Sequence, residues 1–135
     1  MEIAEGFALK IETNLDYNNA IEIVTEKLKE KGFGILTEID VKETLKKKIN
    51  VDFKPYHILG ACNPPIANRA LKENSLIGVF LPCNVVVCDE GDYRTIAAMN
   101  PTIIENYLDN PLIKSIADEV FEILSSVLIQ IEQHQ

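Results

Sequence analysis

Ile113, Ile116, Ala117, Val120, Phe121, Leu124, Val127, Leu128 and Ile131 fall at intervals of three and four. That spacing predicts one long helix, opened by Asn110-Pro111, whose apolar stripe is broad enough to cover a sheet. Such a helix leaves the rest of the chain to supply the strands beneath it, and the periodicity upstream does so. Residues 3–12 alternate apolar and polar or small side chains through Phe7, Leu9 and Ile11, and Phe33, Ile35, Thr37, Ile39 and Val41 alternate again. Both read as half-buried strands.

Between them, Asp16 is placed to cap a helix carrying Tyr17, Ala20, Ile21, Val24 and Leu28 at helical spacing, with lysines in its last turn and Gly32 beyond its end. Asp40 with Glu43 forms a capping box for a short lysine-bearing helix through Lys48, which reads as a solvated face. Residues 50–55 read as a loop. A strand from Tyr56 to Ala61 runs into Cys62, and Asn63-Pro64 then opens a helix whose buried face is Ile66, Ala67, Ala70 and Leu71. Residues 76–81, 85–88 and 93–99 read as consecutive antiparallel strands, the last two joined by the turn Asp89-Glu90-Gly91-Asp92. Asn100-Pro101 opens a further short helix. The long final helix is expected to lie across the whole sheet.

At 135 residues, with 47% apolar and 25% charged side chains, the chain is expected to form a single domain over 1–135 that needs no disulfide framework. Twenty-one acidic against 13 basic residues give a formal charge of −8, a field that repels nucleic acid and anionic membrane surfaces alike. The N-terminus lacks the pattern of a signal peptide, and the three cysteines, an odd number, suit a reducing compartment. A cytoplasmic location is expected.

The candidate site lies where cysteine and asparagine stand together twice beside proline, in Gly60-Ala61-Cys62-Asn63-Pro64-Pro65 and Leu81-Pro82-Cys83-Asn84-Val85. Cysteine can act as a nucleophile, a redox centre or a soft-metal ligand. Cys62 precedes a helix start, a position that can lower a thiol pKa, whereas buried cysteine also serves as a small hydrophobe. Asn63 and Asn84 can cap backbone or present an amide to a ligand. Cys88 is five positions from Cys83, and the same odd separation divides His57 from Cys62, so strand parity sends these pairs to opposite faces. No zinc-ligand spacing occurs, no cofactor motif is present, and hydrolase, nucleotide-binding and zincin signatures are missing. Neither His57 nor His134 shows a catalytic partner in the sequence. The ligand-binding candidates are therefore Cys62, Asn63, Cys83, Asn84 and His57.

Together, Gly32-Phe33-Gly34-Ile35-Leu36-Thr37-Glu38-Ile39-Asp40-Val41, Ile58-Leu59-Gly60-Ala61-Cys62-Asn63-Pro64 and Leu81-Pro82-Cys83-Asn84-Val85-Val86-Val87 resemble the bacterial and archaeal Domain of Unknown Function 302 family. The resemblance implies an α+β fold of the TATA-binding-protein-like type, a curved antiparallel sheet with a long C-terminal helix packed on one face. The family has no established activity, so no catalytic residues are implied. Three readings follow: a small-ligand or soft-metal binding module near the two Cys-Asn motifs; a thiol enzyme or redox protein using Cys62 and Cys83; and a structural protein acting through a homodimer surface. A dimer is the generic expectation for such a chain.

Overall fold

The computed structural model describes residues 1–133, and His134 lies outside them. The chain runs β1 (Glu2–Ala4), β2 (Ala8–Thr13), α1 (Tyr17–Glu30), β3 (Gly34–Asp40), α2 (Val41–Ile49), β4 (Tyr56–Cys62), α3 (Pro64–Glu73), a 3₁₀ helix (Ser75–Phe80), β5 (Cys83–Asp89), β6 (Arg94–Met99), a second 3₁₀ helix (Pro101–Asn106) and α4 (Pro111–Gln133). The strands form one antiparallel sheet in the order β1-β2-β6-β5-β4-β3. This is the expected α+β architecture, with the long C-terminal helix packed on one face of the sheet.

The caps act where the sequence puts them. Asp16 accepts from the Asn19 amide at 2.8 Å, Asp40 from Glu43 at 3.0 Å, Asn63 from Ile66 at 3.2 Å and Asn110 from Ile113 at 3.2 Å. Each satisfies an amide that the first helical turn leaves without a partner. Gly32 follows α1 at φ +84, and a side chain there would press on the Asn63 amide nitrogen at 2.9 Å. Asn63 thereby joins the end of α1 to the start of α3.

Three expectations are corrected. Residues 3–12 are two strands, because Glu5 and Gly6 take positive φ and reverse the chain; Phe7 sits at the exposed end of that turn. Residues 76–80 belong to the first 3₁₀ helix, with Leu81 extended just beyond it, because the Asn74 side chain accepts from Leu76 and its carbonyl from Ile77, starting a turn where an apolar run suggested a strand. The three-residue period then sets Ile77 and Phe80 on the same side. Finally, α4 does not cover the sheet alone. It packs on β2, α1 and α3, while α1 lies against β3, β5 and β6.

Beneath the two helices lies one core of inward-facing strand residues, among them Leu9, Ile11, Leu59, Val85, Val87 and Ile96, packed on Val24, Leu28, Leu124 and Leu128. The edge strand β3 departs from simple alternation. A bulge at Leu36 shifts its register, so that Ile35 pairs with Ala61 on the core side, yet beyond the bulge Glu38 pairs with Leu59 and Asp40 with His57. The extra residue exchanges the faces. Glu38 and Asp40 consequently share the helix-covered face with Leu59 and His57, and Ile39 is turned outward.

Candidate functional site

Cys62 ends β4 and Cys83 begins β5, so both lie at one end of the sheet. The register sets Ala61 directly opposite Cys83. The Met99 end of β6 comes to the same place, since Val85 pairs with Ala98. The segment entering β5 is fitted closely, for a Cβ on Gly60 would collide with the Thr37 hydroxyl and stand 2.8 Å from Pro82 Cγ. Gly60 is thus the residue that lets Pro82 and Thr37 close over the outward face of β4.

Between these strand ends, α3, the two 3₁₀ helices and the first turns of α4 is a cavity of about 60 Å³. Phe33, Ile66, Ile77, Phe80, Ile104 and Ile116 supply much of its wall, and Cys62, Asn63 and Cys83 also line it. The wall carries no charged side chain. Cys83 is buried, and that burial, with the Cys62 sulfur nearby, pushes its thiol from 9.0 to about 11. At neutral pH Cys83 is a protonated thiol and a poor nucleophile. Cys62 is half-buried at the residue before the α3 cap.

The five candidates therefore separate. Cys62, Asn63 and Cys83 meet at the cavity. Asn84 is exposed opposite Gly60 within β5, where it caps no helix. His57 is at the other end of β4. Met99 joins the cavity without having been singled out, because a lone methionine at the end of an apolar strand carries no distinguishing spacing.

Around His57 the chemistry is polar. The Tyr17 hydroxyl lies 2.5 Å from His57 Nδ1, and His57 Nε2 lies 3.1 Å from Glu38 Oε1. Burial raises the Tyr17 pKa, and the charges of Asp40, Cys88, Asp89 and Glu38 raise it further. The imidazole bridges the two, with Nδ1 facing the Tyr17 hydroxyl and Nε2 facing the Glu38 carboxylate, which can only accept. Both ring nitrogens are committed within the protein. The phenol–imidazole–carboxylate chain ties the first residue of α1 to the β3–β4 edge, and the bulge that turns Glu38 inward makes it possible.

On the outward side of the same end, the Cys88 thiol donates to Glu90 at 2.8 Å, and Glu90 receives Lys54 at 2.9 Å. Burial, then the bond to Glu90, pushes the Cys88 thiol to about 11. Cys88 and Cys83 thus occupy opposite faces of β5, as their odd separation requires. Among the described residues, no group of three or more His, Cys, Asp or Glu side chains could hold a metal ion, and no helix is long and apolar enough to cross a membrane.

Fold and site together define a small α+β protein with an apolar cavity at one end of an antiparallel sheet and a charge-paired cluster at the other. The chain belongs to the DUF302 family, a domain of unknown function whose family model matches residues 9–131. It is similar to the crystal structure of an uncharacterized conserved DUF302 protein from Bacillus stearothermophilus, at 36% identity and a TM-score of 0.86. That match covers 93% of this chain and 98% of the other. No curated protein matches it.

Proposed function

We propose that this protein is a binding module whose site is the cavity shared by Cys62, Asn63 and Cys83, and that its ligand is neutral and apolar where it meets the wall. The observation that carries this reading is the cavity itself. Its lining is almost wholly apolar, with Cys62, Asn63 and Cys83 among the lining residues and no charge to hold an ion. Ligand sites are concave and mostly apolar, with few polar groups. A thiolate at Cys83 is disfavoured, because burial holds that thiol protonated to about 11. A soft monovalent metal on Cys62 and Cys83 is disfavoured for a related reason: it needs thiolates, and no cation lines the cavity to balance them.

The test is a titration of the methyl-labelled protein with 1-propanol, followed by NMR. The isoleucine methyls of the wall, Ile66, Ile104, Ile113 and Ile116, should shift saturably while Ile11 and Ile96 under the middle of the sheet stay fixed. Uniform or absent shifts would remove the binding reading. Titration with Cu(I) provides the contrast: loss of both Cys62 and Cys83 thiol protons at one equivalent would favour the metal instead.

A further inference from the structure

The size of the cavity sets a limit on what it can hold by itself. At 60 Å³ it has the volume of about two water molecules, room for two or three heavy atoms. Even at the per-atom ceiling for very small ligands, so few atoms bind only to about millimolar Kd. A ligand held more tightly must extend beyond the wall, and the surface around the cavity shows what it would cross.

Of thirteen large hydrophobic residues exposed among the described residues, five are Leu71, Leu76, Val79, Tyr107 and Leu112. All five belong to elements that build the cavity or adjoin them. Ile77 and Phe80 of the first 3₁₀ helix line the wall, while Leu76 and Val79 of the same helix face water, Val79 at 83% exposure. The Phe80 ring stands 6.4 Å from that of Tyr107, itself 75% exposed. Leu71, expected on the buried face of α3, is instead exposed and reaches the same 3₁₀ helix, its Cδ2 lying 3.7 Å from where a Cβ on Gly78 would stand. Leu112 precedes Ile113 of the wall. Apolar surface therefore continues from inside the cavity, across Phe80, onto the exterior.

Resting on the binding reading above, we infer that the ligand is the alkyl chain of a free amphiphile, its tip in the cavity and its next carbons on Phe80, Val79 and Tyr107. The polar head stays in water at the rim. A chain matches a surface that is narrow within and open beyond, where a compact ring of comparable affinity would exceed the cavity. The free molecule is favoured over a bilayer surface because the chain's formal charge of −8 opposes approach to anionic lipid.

The experiment titrates the full chain with straight-chain alcohols from 1-propanol to 1-octanol, reading the Ile113 and Ile116 methyls by NMR. Affinity should rise about threefold to fourfold per added methylene. Val79→Asp with Tyr107→Ser, both at exposed positions, should flatten that rise while leaving 1-propanol binding unchanged. A wild-type series flat beyond 1-propanol overturns the chain and leaves the binding site standing; no shift with any member removes both. Self-association abolished by Val79→Asp would assign the outer apolar surface to a second copy, and co-sedimentation with phosphatidylcholine vesicles would assign it to a membrane. Either result would overturn the free amphiphile.

Discussion

Strands β4 and β5 lie side by side throughout their length, yet their two ends have opposite chemistry. At the Cys62–Cys83 end, apolar side chains from several elements converge without filling the space between them. At the other end, Tyr17, His57 and Glu38 on the helix-covered face and Cys88, Glu90 and Lys54 on the outward face are joined by hydrogen bonds. Titratable residues usually draw attention first, but here the titratable end is occupied by its own contacts. The cavity lies at the apolar end. Unfilled apolar space at one end and mutually bonded polar groups at the other are what set the two ends apart.

The contrast can be broken most forcefully at Phe33, which is buried and forms part of the cavity wall. Phe33→Ala should cost about 3–5 kcal/mol in chemical denaturation, because it removes a buried ring and enlarges an existing void. A loss below about 1 kcal/mol would mean that the wall collapses and no cavity persists in solution.

The second test uses alkaline pH. Cys83 stays protonated to about 11 in the folded protein, above its ordinary 9.0, whereas the unfolded chain ionises from about 9. Its contribution is fully present below the unfolded value and is lost as pH rises through the folded one. Between pH 9 and 11 the wild type should therefore lose roughly 2 kcal/mol more than Cys83→Ala. Urea denaturation at pH 8, 9.5 and 11 measures the difference, and parallel profiles would show a thiol open to solvent.

The smallest effect belongs to the polar end. Tyr17→Phe leaves Nδ1 of a largely buried imidazole without its hydrogen-bond partner and should cost about 1–2 kcal/mol. It should leave 1-propanol binding at the cavity unchanged. A loss of binding in this variant would mean that the two ends are coupled, and the division drawn between them would fail.

Much of this architecture is legible in the chain. The four Asx caps, the prolines at helix starts and the stripe from Ile113 to Ile131 announce their elements, because capping and helical periodicity are local. What stays hidden depends on register. The bulge at Leu36 has no local mark, so alternation alone turns Thr37 and Ile39 inward and hides Glu38 from His57. Residues 76–81 have strand-like composition, and only the Asn74 cap reveals a 3₁₀ helix. Of the two Cys-Asn pairs, Cys62, Asn63 and Cys83 come together at the cavity. Asn84 shares the motif but falls on the opposite side of its strand, as adjacent residues must. The cavity itself arises from gaps between elements distant in sequence, and no spacing encodes it.

The most direct measurement is diffraction from crystals of the protein pressurised with xenon, an apolar probe small enough for the cavity. A xenon site is expected within van der Waals contact of Ile66, Ile116 and Cys83, with no xenon beside His57. A structure in which the side chains of Phe33, Phe80 and Ile116 have closed the space, with no xenon bound there, would contradict it.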